Sequence, residues 1–95
     1  MRDYEVMTIH RPDLAEDDVE TKISQLSQHL SNRGASVTKR DLWGKRRFAY
    51  EIDHLSEGYY SVLSFQSDPG TVSEVDRMLT LADEVIRHKI VKIGD

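Results

Sequence analysis

The hydrophobic residues of this chain change their spacing along its length, and each change marks the end of an element. Apolar and polar residues alternate from Asp3 to His10, which is the period of a β-strand, and residues 11–13 (Arg-Pro-Asp) then break the pattern. Both alternating faces contain apolar side chains, so this strand is predicted to be central in its sheet. From Leu14 onward apolar residues recur at helical spacing, at Val19, Ile23, Leu26 and Leu30, and Gly34 follows as a C-terminal cap. A strand followed by an amphipathic helix is therefore predicted.

The middle of the chain predicts a long hairpin. A second extended run covers residues 35–52 and is interrupted at Gly44, where an isolated glycine suggests a bulge or bend. Residues 53–58 are predicted to form a polar turn, and residues 59–65 are rich in aromatic and β-branched side chains. The two runs are therefore expected to pair.

A second helix and a last strand complete the pattern. Residues 67–70 (Ser-Asp-Pro-Gly) form a helix start signal, and the last strand is predicted from Val85 to Ile93. The apolar face of this helix is expected to comprise Val72, Val75, Met78, Leu79 and Ala82. The order βαββαβ, with right-handed crossovers, predicts a ferredoxin-like α+β sandwich, a four-stranded antiparallel sheet with two helices on one face. Residues 1–95 are expected to form this single domain.

Two helices can cover only one face of the sheet, so the other face must be hydrated or must meet a partner. If Tyr59 points toward the helices, the alternation of side chains places its neighbours on the open face. The side chains expected there, and expected to bind a protein partner, are Met7, Ile9, Tyr60 and Val62. The alternative is that these four are ordinary surface hydrophobes of a small sheet.

Composition excludes several classes of protein. The chain has 95 residues, of which 38% are hydrophobic and 32% charged, a balance too apolar for disorder and too charged for a membrane span. Cysteine is absent, which removes disulfides, thiolate metal sites and thiol nucleophiles. The N-terminal sequence shows no targeting presequence, so the protein is expected to remain in the compartment in which it is made.

Candidate catalytic and cofactor sites are weak. The four histidines lie in separate predicted elements and the five glycines are isolated, so neither a catalytic triad nor a phosphate-binding loop is indicated. His10 and His88 lie on strands predicted to be neighbours, but such histidines are more often packing or surface residues. An acidic cluster is explained by its place in the first helical turns and comprises Glu16, Asp17, Asp18 and Glu20. No enzymatic activity, cofactor, metal or small-molecule substrate is therefore expected.

Charge is segregated along the chain. The net charge is −4, yet residues 36–50 contain five basic residues and one acidic residue, whereas residues 51–84 contain one basic and eight acidic residues. In the basic stretch cations alternate with aromatic residues, which is typical of RNA binding because guanidinium groups match phosphate oxygens and aromatic rings stack on unpaired bases. The RNA-binding candidates in this stretch are Arg40, Trp43, Lys45, Arg46, Arg47 and Tyr50.

The last strand is predicted at the opposite edge of the sheet and would provide a second basic site. Its RNA-binding candidates, with one residue from the N-terminus, are Arg2, Arg87, His88, Lys89 and Lys92. In the first site, Lys45, Arg46 and Arg47 are consecutive, so they cannot all face one side of a regular strand. The alternative for either edge is that its charges only discourage pairing with other sheets.

The RNA-recognition motif shares this order of elements and carries an aromatic octamer on its third strand. Residues 57–64 match that octamer only at Gly58, Tyr59 and Val62. Glu57 stands where the octamer has a base, and Ser61 stands where it has a stacking aromatic ring. A different binding mode on the same fold is therefore favoured.

Five stretches of the sequence resemble those of one known family. They are residues 4–6 (Tyr-Glu-Val), 11–14 (Arg-Pro-Asp-Leu), 43–50 (Trp-Gly-Lys-Arg-Arg-Phe-Ala-Tyr), 57–60 (Glu-Gly-Tyr-Tyr) and 83–88 (Asp-Glu-Val-Ile-Arg-His). Over nearly its whole length the chain resembles the bacterial-type small-subunit ribosomal protein six family, and the stretch at 43–50 is the most specific. Phe48 and Glu51 stand where the family more often has Leu and Pro, differences that affect packing more than binding.

The resemblance implies a ferredoxin-like fold and a structural, cytoplasmic, ribosome-associated role in the small subunit. It also implies binding to small-subunit ribosomal RNA together with ribosomal protein eighteen, a small basic neighbour. A rival hypothesis is a ferredoxin-like regulatory or small-molecule-binding domain that dimerises through its open sheet face. A third, a small hydrolase, would need an anion-binding loop with a positioned arginine and amide, for which Asn32 is poorly placed.

Overall fold

The structure is a computed structural model that describes residues 1–94, and Asp95, the last residue of the expected domain, lies outside the described residues. The elements are, in order, β1 (Arg2–His10), α1 (Glu16–Asn32), β2 (Ser36–Ile52), β3 (Leu55–Ser67), α2 (Pro69–Leu81) and β4 (Val85–Ile93). The strands pair antiparallel in the order β2-β3-β1-β4. The predicted ferredoxin-like fold is confirmed, and β1 is a central strand, as the apolar character of both its faces predicted.

The core lies between the sheet and the two helices. β1 contributes Tyr4 and Val6, and its Thr8 is buried with a hydrogen bond to Ser61 of β3. The buried residues of α1 follow helical spacing and comprise Val19, Ile23, Leu26 and Leu30. This stripe is the one that the periodicity of the sequence predicts.

α2 contacts the core through most of the face that its sequence predicts, since Val72 packs against the core beside the buried Val75 and Leu79. Val75 and Leu79 are buried, together with Thr71, whereas Met78, expected on the buried face, is 38% exposed. Positions 71, 75 and 79 are spaced four apart and lie nearly in line, but position 78 lies about 100° around the helix axis from position 79. Asp68 fixes the start of α2 because its side chain accepts a 2.7 Å hydrogen bond from the Thr71 backbone amide.

Polar contacts join the two helices near the end of α1. Glu74 of α2 accepts hydrogen bonds from the Arg33 guanidinium and from His29 Nε2, the latter at 3.1 Å. The hydrogen bond from Arg33, together with its charge, lowers the pKa of the Glu74 carboxyl below its ordinary value. α1 ends as predicted, with Gly34 in a left-handed conformation at φ +85°.

The hairpin between β2 and β3 is tighter at its tip than the sequence predicts. The turn consists of Asp53 and His54, which have φ angles of 50° and 64°, and pairing resumes between Ile52 and Leu55. The expectation of a polar turn over residues 53–58 is therefore wrong. Two successive residues with positive φ are what a two-residue type I′ turn requires, and the twist of this turn matches that of the paired strands.

The β2–β3 ladder is irregular where the sequence becomes basic. Gly44 has φ +80°, and the register shifts between Leu42 and Gly44, which confirms the predicted bulge. Two further shifts lie between Val37 and Lys39 and between Arg47 and Ile52, and at the last of these β2 has more residues than the opposite stretch of β3. These extra residues allow side chains of β2 to depart from the alternation of a regular strand.

Candidate nucleic-acid and protein interface

The end of the hairpin projects past the body of the sheet. β1 ends opposite Tyr59, so the residues beyond that point, 46–52 on β2 and 55–58 on β3, have no β1 neighbour. Residues 45–58, which include these and begin at Lys45 opposite Tyr59, are named the hairpin arm. Its basic residues are the consecutive Lys45, Arg46 and Arg47. Arg46 and Arg47 thus lie beyond the end of the central strand, and Lys45 is level with its last residue.

Gly58 joins the arm to the body at a point where the backbone passes too close to its neighbours for a side chain. A Cβ atom at this position would lie 2.7 Å from Ile9 Cγ2 and 2.8 Å from the His10 carbonyl oxygen. It would also lie 3.1 Å from Cζ of Phe48. Close packing, rather than an unusual φ angle, is therefore what requires glycine here.

Ile9 was expected to be accessible to a protein partner on the open face, but its side chain is buried. Its position opposite Tyr60 places it on the open side of the sheet, as the alternation predicted. Only 2% of its surface is exposed, however, because Gly58 packs against its side chain and Phe48 lies close to the same point. The base of the arm thus covers Ile9, and the expectation that it contacts a partner is corrected.

The consecutive cations of the arm lie on both sides of the sheet. Lys45 Nζ lies 5.1 Å from the ring centroid of Tyr59, which belongs to the core on the helix side. Arg46 lies beside Trp43 on the open side, and its Nε donates a 3.2 Å hydrogen bond to the Trp43 carbonyl oxygen. Arg47 follows and is exposed. Lys45 and Arg46 therefore diverge, as their adjacency on a strand predicted.

An aromatic cluster lies where the arm meets the sheet. The rings of Trp43 and Tyr60 stack nearly parallel, with centroids 6.0 Å apart and an interplanar angle of 8°. Phe48 meets the Tyr60 ring edge-on, also with 6.0 Å between centroids. Trp43 is nevertheless 45% exposed, so its indole ring is packed on one side and open on the other. Tyr50 lies farther along the arm and is exposed.

Arg40 and Arg2 lie apart from the arm. The Arg40 guanidinium donates a 2.8 Å hydrogen bond to Ser24 Oγ on α1, so it is directed toward the helix layer. Arg2 is opposite Ser67, at the other end of β3 from Gly58. Residues 58 to 67 of a strand span roughly 30 Å, which separates Arg2 from the arm. The structure therefore does not bring all the RNA-binding candidates into one site.

β4 divides its candidate residues between the two faces of the sheet. Arg87 and Lys89 are opposite residues of β1 on the open side, whereas His88 and Lys92 are opposite residues of β1 that face the helices. His88 Nε2 donates a 2.7 Å hydrogen bond to Asp76 Oδ1 of α2, and only 15% of its side chain is exposed. This orientation does not favour an RNA contact by His88, because its ring is held against the helix layer.

The open face is a concave surface with an apolar centre. Met7 of β1 and Val62 of β3 are opposite each other and half-buried. Trp43 of β2 and Val91 of β4 extend this surface toward the two edges. Charged residues of both signs line it as well, and they are Glu5, Lys39, Asp41 and Lys89. The open face thus combines apolar area with charges that can orient a protein partner.

Two carboxylates of α1 lie beside the aromatic cluster, a proximity that the sequence reasoning missed. Glu16 and Glu20 border a cleft together with Trp43, Gly44 and Tyr60. Both belong to the acidic cluster that was expected to serve only the start of the helix. Their four-residue spacing places them on one side of α1, but the sequence does not reveal which strand that side faces.

The described residues contain little that suggests catalysis. Among residues 1–94, no three side chains of metal-ligating type come together. Over the same range, no helix is long and apolar enough to cross a membrane. His10 and His88 have separate surroundings, since His10 is buried at the end of β1 and His88 is bonded to Asp76. The groups on the described surface that could contact a ligand are therefore its charged and aromatic side chains.

The sequence is similar to known ribosomal proteins along almost its whole length. It matches the family described as Ribosomal protein S6 over residues 3–92. Small ribosomal subunit protein bS6 of Carboxydothermus hydrogenoformans is 45% identical over 92 residues, which cover 97% of this chain and 96% of that protein. The bS6 protein of Desulforamulus reducens is 40% identical over 95 residues, which cover 100% of both chains.

The fold is similar to that of a solved ribosomal protein S6 and to that of a domain from a protein with a different name. The crystal structure of 30S ribosomal protein S6 from Thermotoga maritima has a TM-score of 0.90 at 29% identity, covering 96% of this chain and 86% of that chain. The C-terminal domain of MgtC from Mycobacterium tuberculosis has a TM-score of 0.64 at 15% identity, covering 97% and 87%, and shows the fold alone. The match over residues 3–92 and the full-length relatives establish that this chain belongs to the ribosomal protein S6 family.

Proposed function

We propose that this chain is a structural component of the small ribosomal subunit, where it binds small-subunit ribosomal RNA together with ribosomal protein eighteen. The family and the relatives named small ribosomal subunit protein support the subunit role. Such a component works in the cytoplasm, on the ribosome, and it is not an enzyme. The observation that carries RNA binding is the run of three cations on an arm that projects past the central strand.

The hairpin arm is the proposed principal contact with RNA. β2 is an edge strand, so no neighbouring strand limits the approach of a phosphate to Arg46 and Arg47. Guanidinium groups bind phosphate oxygens through paired hydrogen bonds, and such contacts fix position more than sequence. The open side of the Trp43 ring can stack on an unpaired base. Lys45 and Tyr50 would add contacts on the two flanks of this site.

The open side of β4 is the proposed second contact with RNA. Arg87 and Lys89 lie on the far edge strand, three strand spacings or about 14 Å from β2. The chain as a whole carries a net charge of −4, which opposes the approach of RNA at long range. Binding of random RNA by the isolated protein is therefore expected to be weak, and a basic protein partner is expected to strengthen it.

The open face is the proposed surface for the protein partner. Met7 and Val62 supply an apolar centre, and Tyr60 extends it toward the aromatic cluster. The partner implied by the family resemblance is basic, and carboxylates border this surface at several points. Glu5 and Asp41 line the open face itself, whereas Glu16 and Glu20 of α1 lie in a separate cleft beside Trp43 and Tyr60. Charge complementarity of this kind sets orientation and the rate of association more than affinity.

The double substitution Arg46→Ala with Arg47→Ala tests the RNA contact. Both side chains are exposed, so the fold should be retained while the affinity for small-subunit RNA falls at least tenfold with protein eighteen present. Each lost phosphate contact should also flatten the slope of log affinity against log salt by about 0.7–0.9. Binding titrations over a series of salt concentrations measure both quantities.

Arg77→Ala with Lys22→Ala is the matched control, because it removes the same charge from the two helices. An unchanged affinity and slope in the arm variant, or an equal loss in the control, would contradict the arm contact. Sedimentation of a tagged chain with small subunits tests the subunit role separately, and sedimentation apart from them would overturn it. A dimer that closes the open face would instead favour the regulatory alternative.

A further inference from the structure

His10 lies at the junction of the hairpin arm, the sheet and both helices. It is the last residue of β1 and is only 3% exposed. It is opposite Tyr59 on β3 and Val85 on β4, and its carbonyl oxygen lies against Gly58. A change at His10 therefore acts directly on the base of the arm and on the start of β4.

One nitrogen of the His10 ring has no hydrogen-bond partner. Nδ1 is buried, and none of the described residues bonds to it. A neutral imidazole can leave Nδ1 as an unbonded acceptor, but a protonated one carries an N–H donor on both nitrogens and a positive charge. A buried charge without partners is costly, and burial accordingly lowers the pKa of His10 below its ordinary value.

The groups that face His10 across the helix layer include one carboxylate and one ammonium group. A cavity of about 250 Å³ separates the helices from the strand ends, and its lining includes Lys22 and His29 of α1 and Glu84 before β4. Lys22 Nζ lies 3.7 Å from Glu84 Oε1; burial lowers the pKa of His10 more than Glu84 raises it, and Lys22 lowers it further. α2 contributes apolar side chains to this cavity, and β3 contributes the uncharged Tyr59 opposite His10.

The pairing of β1 with β4 is already irregular at this point. Ile9 is opposite Arg87, but His10 is opposite Val85, so the register shifts and Ile86 has no opposite residue. A bulge disrupts the ladder locally, and the adjacent cavity provides room for water. Opening of the sheet should therefore require less free energy here than along the regular pairing farther back on β1.

We propose that His10 is a proton-sensitive switch at the base of the hairpin arm. With a neutral ring, the junction of β1, β3 and β4 is closed. Protonation opens the junction, brings water from the cavity to the His10 ring and loosens the arm at Gly58 and Tyr59. The core farther back on β1, from Tyr4 to Thr8, stays folded.

The direction of the effect follows from burial. Because the pKa of His10 in the folded protein lies below 6.5, its ordinary value, the stabilising contribution is complete above pH 6.5 and is lost as the pH falls through the lowered pKa. Opening takes up one proton, so the equilibrium constant for opening rises by at most about tenfold per pH unit in this window.

Hydrogen exchange of backbone amides measures this opening. After correction for intrinsic exchange rates, protection factors at residues 58–60 and at Arg11, whose amide donates to the Glu84 carbonyl oxygen, should fall by up to about tenfold per pH unit below pH 6.5, and those at residues 23–30 should change less. His10→Leu should abolish this dependence, and His10→Gln serves the same purpose if the leucine variant does not fold. His54→Gln, at the exposed turn, is the matched control and should retain it.

Titration of the His10 ring by NMR needs no variant. A pKa below 6.5, together with pH-dependent protection that disappears in His10→Leu, supports the proposal. A pKa at or above 6.5, or the same pH dependence in the variant, overturns it. Neither measurement uses RNA or a protein partner, so the outcome is independent of the function proposed above.

Discussion

The hairpin arm and the open face are built from the same strands but differ in what holds them in place. At the centre of the open face β1 and β3 pair without a register shift, and the half-buried Met7 and Val62 lie opposite each other. In the arm β2 carries extra residues, and a side chain as large as Tyr50 is 82% exposed. The open face therefore has a shape fixed by regular strand pairing, whereas the main feature of the arm is its exposed positive charge.

This difference limits what each part can bind. Long guanidinium side chains adjust their reach, so phosphate contacts tolerate an irregular backbone. An apolar surface binds a partner only where the two shapes match, so it depends on the regular pairing of β1 with β3. The two parts meet at Gly58, which packs against Ile9 and the backbone of His10. Substitutions at the meeting point and within each part should therefore have different effects.

Gly58→Val should have the largest effect, because it separates the arm from the body. Its Cβ would lie 2.8 Å from the His10 carbonyl oxygen, a backbone atom that cannot rotate away. The free energy of unfolding should fall by about 3 kcal/mol, measured by urea denaturation. Gly70→Ala is the control, since its nearest neighbour is 3.3 Å away, on the side chain of Asp68. A variant as stable as the parent would show that the joint is loosely packed.

Trp43→Ala should affect both parts. Removing a fully packed Trp costs about 3–5 kcal/mol, but Trp43 is 45% exposed, so a loss of about 2 kcal/mol is expected. RNA affinity should fall as well, because the open side of the ring is lost. Trp43→Phe keeps a ring beside Tyr60 and should recover most of the stability. Equal losses in the two variants would show that the stacking at 6.0 Å contributes little.

Val62→Glu should act on the open face alone. Placing a carboxylate at the apolar centre should weaken binding of protein eighteen at least tenfold, or about 1.4 kcal/mol. Isothermal calorimetry with the purified partner measures this change. Tyr50→Glu adds the same charge to the exposed arm and should leave partner binding unchanged. If the two variants bound the partner equally well, the open face would not be its site.

Glu74→Gln should have the smallest effect and should leave both the arm and the open face unchanged. Arg33 lowers the pKa of Glu74, so its contribution to stability is present above the ordinary pKa and is lost as the pH falls through the lowered one. The variant should be slightly less stable than the parent at neutral pH and equally stable in acid. Thermal unfolding at both pH values measures this, and a constant difference would exclude the ion pair as its cause.

Local patterns predicted most of the fold. The spacing of Val19, Ile23 and Leu26 marked the buried side of α1, and the isolated Gly44 marked the bulge. The tip of the hairpin was not predicted, because residues 55–58 have the composition of a turn. Pairing with β2 overrides that local preference and extends β3 back to Leu55.

The site was predictable in its chemistry but not in its arrangement. The cations of the arm are visible in the sequence, whereas the burial of Ile9 and the closeness of Glu16 to Trp43 arise from packing between elements distant in the chain. The orientation of His88 could have been predicted, because His88 follows Arg87 on a strand and neighbouring side chains of a strand point to opposite faces. The two-residue turn at the tip, by contrast, depends on the register of the whole hairpin.

The position of β1 between β3 and β4 constrains the order in which the protein can fold during synthesis. β1 is made first, yet its Thr8 pairs with Ser61 and with His88, both distant in the chain. The β2–β3 hairpin is local and can form while the chain is still growing. Pairing across the longer separations must first overcome the entropy of closing large loops. One edge of β1 therefore stays unpaired until β4 has emerged, so the sheet is completed by its last strand.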